Sequence, residues 1–198
     1  VVDSPSVQFV EQVEPILSRA GCNMGACHAS QYGKGGFVLS VFGFDPQLDH
    51  VSILRDRQGR RVNLLDPDRS LVLHKPTMQV PHGGGKRLEK DSIDYQMLKA
   101  WLISGASAPK KDPAHVTALR VTPRRRVCGP DESQQLRVEA DFSDGTTQDV
   151  TAWAKFDTLD DAVVQITAEG LATTQGRGQA PVMVRFMDRA NVATFVVP

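Results

Sequence analysis

Long apolar runs are missing from these 198 residues, and nothing approaches the length needed to span a bilayer. Net charge is missing too. Lys+Arg and Asp+Glu both number 23, which removes any global electrostatic case for nucleic acid. The short cluster Arg124-Arg125-Arg126 reads as a solvated loop or strand end. Cysteine is scarce: the three thiols cannot all pair within one chain, and if Cys22 and Cys27 act together Cys128 is left over. The chain starts "VVDSPSVQF" without an initiator Met or a signal peptide, as a processed protein or an excised piece would, so the compartment stays open. What is present is an ordinary 40% hydrophobic content, enough for one large domain or two small ones.

The chain has two grammars. In "VQFVEQVEPILSRA", Phe9, Val10, Val13, Ile16 and Leu17 recur at spacings of three and four, which predicts a helix. Pro15 has no N–H to donate and predicts a kink or break within it, and Gly21 predicts its end. In "DSIDYQMLKAWLISGA", Ile93, Tyr95, Leu98, Trp101 and Leu102 predict a second helix, capped by Asp91 and closed at Gly105. The stretch between them is rich in Gly, Asp-Pro and Arg, and a loop region of that length implies an organiser other than regular secondary structure. "ASAPKKDPAH" reads as a linker. Beyond it come short alternating runs: Leu119 and Val121; Leu136 to Phe142; Val163, Val164 and Ile166; Val182 to Phe186; Val192 and Phe195. They are punctuated at Ser143-Asp144-Gly145 and Ala168-Glu169-Gly170, and they predict an antiparallel β-sandwich.

The chemistry concentrates in "GCNMGACHAS". Cys22, Cys27 and His28 form C-x4-C-H, two residues longer than the C-x-x-C-H that attaches c-type haem. Haem c is held by two thioether bonds, with the adjacent histidine on the iron. A longer inter-cysteine loop still meets this condition if Gly25 and Ala26 let the extra residues bulge outward. Two cysteines at this spacing also suit structural zinc, with two further ligands required, although adjacent Cys27 and His28 are awkward as simultaneous tetrahedral ligands. A Cys22–Cys27 disulfide is the third reading. An organising cofactor would give the loop-rich middle a core, which favours haem.

Several stretches carry a family resemblance. "FVEQVEPILSRAGCNMGACHASQYGKGGFVLSVFGFDPQLDH", "GRRVNLLDPDRSLVLHKPTMQVPHGGGKR" and "LKAWLISGA" resemble, in order, the cytochrome c-like domain of large secreted planctomycete proteins, covering residues 7–106. "LRVEADFSDGTTQDVTAWAKF" and "AEGLATTQGRG" are similar to bacterial Ig-like group 2 domains, which often follow the cytochrome-like one in that family. The resemblance implies a multidomain α plus β chain. A small class I cytochrome c-like helical haem domain (1–106) and a linker (107–112) precede an Ig-like antiparallel β-sandwich (113–198). It also implies that the chain is a piece of a larger protein with downstream domains.

One covalent haem c would then be tethered by Cys22 and Cys27, with His28 as proximal ligand. The loop "HKPTMQVPHGGGKRL" offers the distal ligand, His82 as first choice and Met78 as the alternative; His74 reads as a partly buried histidine. Arg60, Arg61, Lys75 and Lys86 are expected either to neutralise the haem propionates or to form a solvated basic surface. Phe37, Leu39, Val41, Phe42, Leu64, Leu65, Val72 and Leu73 would wall the pocket or build an ordinary core. His50 is expected to meet a carboxylate or a loop carbonyl, and His115 to be exposed.

The function expected is one-electron transfer in a periplasmic or secreted protein, because c-type attachment takes place outside the cytoplasm. The redox partner is not identified, no membrane span is expected in this chain, and no catalytic cluster is read on the second half. Two alternatives stand beside it: a haem-based sensor or ligand-binding module, and a non-haem zinc or disulfide structural and adhesion protein. An enzyme enters only through a downstream catalytic domain that this part would feed with electrons.

Overall fold

Phe9, Val10, Val13, Ile16 and Leu17 are all buried, as their spacing requires. The computed structural model describes residues 7–198. The helix begins with a π-helical turn over Phe9–Val13, in which Glu14 N–H reaches back to Phe9 O, and continues as α1, Glu14–Arg19. Pro15 lies in the first turn of α1, where its missing N–H is tolerated, and the wider winding ahead of it is the expected break. α1 ends at Gly21, whose φ of +75° disfavours any side chain. Gly21 N–H donates to Ser18 O (3.0 Å) and Cys22 N–H to Leu17 O (2.8 Å), the paired bonds of a Schellman stop.

Further helices are α2 (Pro46–Leu54), α3 (Leu71–His74) and α4 (Ile93–Ile103). Ser92, not Asp91, caps α4: its side chain accepts from Tyr95 N–H at 3.3 Å. Asp91 sits one residue too early, with φ of +66°. Gly105 and Ala106 close α4 by donating to Leu102 O and Trp101 O. Phe9, His50 and Trp101 pack ring against ring, with Phe9–Trp101 centroids 5.2 Å apart, and an Arg19–Asp94 ion pair ties α1 to α4. His50 finds a loop carbonyl, Ala106 O, at 2.9 Å. The first of two compact units ends at Pro113 and the second is Ala114–Pro198. Much of 107–112 is anchored on the first unit: Trp101 Nε1 donates to Ser107 O, and Gln47 Nε2 lies 3.4 Å from both Pro109 O and Lys110 O.

A buried acid lies inside the first unit. Glu14 is 2% exposed and neither carboxyl oxygen has a hydrogen-bond partner. Its neighbour Asp49 is buried as well, but accepts from Ser40 N–H and from Ser40 Oγ–H (2.6 Å). Burial, with the adjoining Asp49 charge, pushes the Glu14 carboxyl well above the usual carboxylate range.

The second unit is built from β1 (Val116–Thr122), β2 (Arg125–Val127), β3 (Ser133–Gln135), β4 (Arg137–Phe142), β5 (Thr147–Asp149), β6 (Lys155–Thr158), β7 (Val164–Ile166), β8 (Leu171–Thr174), β9 (Gly178–Phe186) and β10 (Arg189–Val197). They form sheets ordered β1-β4-β5, β2-β10-β9-β6 and β3-β8-β7. All pairings are antiparallel except β2 with β10, which run parallel after Pro123, a residue with no ladder N–H, separates β1 from β2. Inward side chains alternate along the strands, and Val138, Ala140, Val182, Val184 and Phe195 are at or below 1% exposure in one shared core. On β10 the inward set is Ala193, Phe195 and Val197; Val192 is half-buried, because a strand's period of two cannot place it with Phe195.

Two outcomes are expected. Residues 113–198 made alone should unfold cooperatively in denaturant, since their core is self-contained; a chain without a cooperative transition would contradict that. Glu14→Gln should stabilise the protein at pH 8 and lose this advantage near pH 4. The sign follows from linkage: above its unfolded pKa the acid is ionised in the unfolded chain but still protonated in the folded one, so stability declines as pH rises from there to the folded pKa. Denaturation midpoints that differ equally at both pH values would refute it.

Candidate functional site

Because Cys22 supplies the outermost bond of the α1 stop, its position is fixed by the helix itself. The loop that follows closes on its own backbone. Cys27 N–H donates to Met24 O at 2.8 Å, and His28 N–H to Cys22 O at 3.0 Å. The four residues between the cysteines divide in direction. Gly25 and Ala26 are exposed, whereas Asn23 is fully buried, with Nδ2 donating to Ser18 Oγ (2.8 Å) and Asn23 O accepting from Phe42 N–H. Cys22 and Cys27 are free, half-buried thiols, and burial, followed by the neighbouring Cys27, pushes the Cys22 thiol up to about 12.

His28 follows at once. Its Nδ1 lies 3.1 Å from Lys34 O and 3.2 Å from Phe37 O. Carbonyls only accept, so Nδ1 carries the proton and Nε2 presents a lone pair. The turn that delivers these carbonyls requires Gly33, whose φ is +61°, since a Cβ there would fall 1.8 Å from Phe37 O. The Phe37 ring packs on the imidazole at 4.6 Å between centroids. Burial holds the His28 pKa below the ordinary histidine value, which favours the neutral ring.

His82 is prepared in the same way from the other side of the chain. Its Nδ1 lies 2.8 Å from Gly85 O, which again leaves Nε2 free. Lys75 Nζ donates to Pro81 O (3.0 Å) and Arg87 Nε to Gly84 O (2.8 Å), fixing the loop around it. The His28 and His82 ring centroids are 6.2 Å apart, with only 18° between the planes. Two imidazoles on opposite sides of one metal ion, with metal–nitrogen bonds of about 2.0 Å, have centroids about 6 Å apart.

Both histidines and both cysteines line a cavity of about 450 Å³, within the usual range for small-molecule sites. Ile16, Leu17, Phe37, Leu71, Val72 and Leu98 give it apolar walls. Its charged lining is wholly cationic: Lys34, Arg57, Arg60, Arg61, Lys75 and Arg87, with no carboxylate among the lining residues. A mostly apolar group with anionic substituents suits these walls.

The sequence-derived residues fall unevenly around this cavity. Arg60, Arg61 and Lys75 line it. Lys86 does not; it is half-exposed and pairs with Glu89 at 2.6 Å. Met78 is also outside the lining, 46% exposed, because the turn after α3, with Met78 N–H on Lys75 O, carries it outward. His74 is half-buried and His115 exposed. Of the expected wall, Phe37 and Val72 face the cavity, and Leu39 and Leu73 are buried in the core. Leu65 is fully exposed, since Asn63 Oδ1 accepts from Leu65 N–H and Asp66 N–H and turns the chain outward there. Lys34, Arg57 and Arg87 were not anticipated. The first two flank the turn and run that supply Phe37 and Arg60, and Arg87 directly follows the glycine loop, so proximity to those motifs was the available signal.

Among the described residues, no group of three or more His, Cys, Asp or Glu side chains is arranged to hold a metal ion. Likewise, no helix there is long and apolar enough to cross a membrane. Cys128 is buried in the core of the second unit. No curated protein matches the chain. The family model of the bacterial Ig-like domain (group 2) matches residues 115–193, and that part of the chain, with its sheets closed around one core, is a domain of this family.

Proposed function

We propose that the first unit is a mono-haem c-type cytochrome module for one-electron transfer within a larger periplasmic or secreted protein. The observation that carries this reading is the neighbouring pair His28 and His82, each with Nδ1 spent on a carbonyl and Nε2 free, beside the thiols of Cys22 and Cys27 in one cavity. Cys22 and Cys27 would hold haem c by thioether links, His28 would be its proximal ligand and His82 its distal one. Bound there, haem supplies reversible one-electron chemistry at iron.

The chain's own residues set the conditions for that chemistry. Lys34 O, Phe37 O and Gly85 O keep both rings in the Nδ1–H tautomer and hold their orientation. Leu17, Phe37 and Leu98 exclude water from the cavity wall, while Arg57, Arg60 and Arg87 offer positive charge to propionates. A second imidazole generally leaves the potential lower than a methionine sulfur does, so this reading implies a low-potential centre. We read the Ig-like unit as a spacer or docking module, with the redox partner or downstream domains beyond it.

Two measurements test this. Protein made in a host competent for cytochrome c maturation should be coloured, with a pyridine haemochrome spectrum of two thioether links; a colourless product would leave the disulfide or zinc reading standing. Electron paramagnetic resonance should show a low-spin ferric centre. His82→Ala should convert it largely to high-spin and open the reduced protein to carbon monoxide; an unchanged low-spin spectrum would move the distal role to Met78.

A further inference from the structure

Arg61 lies at the cavity, yet both of its Nη groups are engaged elsewhere. Its side chain is 9% exposed, and Nη1 donates to Ser52 O (2.8 Å) and to the Asp56 carboxylate (3.1 Å). Nη2 donates to Gly36 O at 2.9 Å. The guanidinium carbon stands 4.4 Å from the centre of the Phe37 ring, and that ring packs on His28. Its main chain is held as well, with Val72 N–H donating to Arg61 O at 3.0 Å. One side chain therefore joins the end of α2 to the turn that carries both carbonyls accepting from His28 Nδ1. A lysine could not do this, because the geometry needs a planar fork that bonds in two directions and stacks on an aromatic face at once.

We propose that Arg61 is the positioning residue of the His28 imidazole, acting through Gly36 and Phe37, and is not a propionate contact. This rests on His28 serving as an iron ligand. Gly36 O takes one arm of the fork, which fixes the turn between Lys34 and Phe37. Phe37 is held by the guanidinium over its ring and presents that ring, tilted 47° to the imidazole, and its carbonyl to His28. The direction and strength of the Nδ1–H···O bonds follow from that frame, and they govern the ring's orientation and the basicity of Nε2. A second consequence is electrostatic. An arginine stays charged even when buried, so a fixed positive charge is held on the proximal side.

The test compares the full haem-loaded chain with Arg61→Lys, which keeps the charge and loses the fork, and with Asp56→Asn, a milder change at the solvent-facing anchor of the same fork. Electron paramagnetic resonance g-values and the reduction potential across pH are read for each. Arg61→Lys should lose the single parental low-spin signal in favour of a shifted or second species, and Asp56→Asn should move the signal less in the same direction. An exposed neighbour off the cavity, Arg55→Lys, should leave it unmoved. If both fork variants keep the parental g-values, the positioning role is wrong; if only the pH dependence of the potential moves, Arg61 is a charge partner of the propionates. If Arg61→Lys does not fold, Asp56→Asn alone decides between these outcomes. A parent protein without a low-spin bis-imidazole signal overturns the haem assignment instead, so the two failures are separable.

Discussion

His28 donates its Nδ1–H between the carbonyls of Lys34 and Phe37, and this shared bond determines which nitrogen is available to the cavity. The bond exists only because several independent local rules agree. Gly21 ends α1 with Cys22 in the final hydrogen bond of the stop, and Cys22 O then takes the amide of His28. Gly33 lets the following turn come back onto the ring, where a Cβ would overlap Phe37 O. A helix stop and a glycine turn, twelve residues apart in sequence, together hold an imidazole that a flexible loop would leave free to rotate. Preorganisation of this kind lowers the entropic cost of taking up a metal, because orientation is settled before the ligand arrives.

Much of this was readable from residue order alone, and the reasons are physical. Periodicity fixes which helix face is buried, so Phe9 to Leu17 and Tyr95 to Leu102 were legible. Alternation fixes sheet faces, so the second unit's core was legible except at Val192, where the apparent spacing of three to Phe195 conflicted with the strand's period of two. Non-local facts were harder to read. Arg61 looks like any surface arginine in "GRRV", and its burial depends on Ser52, Asp56 and Gly36, which sequence does not bring together. Met78 looked usable as an iron ligand and Leu65 as part of a pocket wall, but local turns aimed both outward. Ser92 took the cap from Asp91 for a similar reason, since a cap depends on backbone direction as well as side-chain chemistry.

The two units reach stability by different routes. In the second, apolar side chains from successive strands fill one core, with Thr174 the buried polar side chain beside it. In the first, helices are short and the connections long, and a core of Phe9, Val13, Leu73, Trp101 and Leu102 lies beside the residues that line the cavity. Anything that binds the folded form there adds its binding free energy to folding. A covalently tethered group would do so without a dissociation limit.

The insert between the cysteines is explained in the same terms. Gly25 and Ala26 do point outward, but a passive bulge would have left Asn23 in solvent as well. Instead Asn23 is fully buried, with its side-chain Nδ2 donating to Ser18 Oγ and its main-chain carbonyl accepting from Phe42 N–H, close to the carboxyl of Glu14. The longer loop therefore places a polar anchor inside the first unit, and α1 answers it with Ser18 and with the buried acid Glu14. A charged Glu14 would be expensive in that setting; a protonated one is a neutral neighbour that can share hydrogen bonds with Asp49 and Asn23. Within C-x4-C, Asn23 thus fastens the loop to α1, and His28 is held by the Gly33–Phe37 turn.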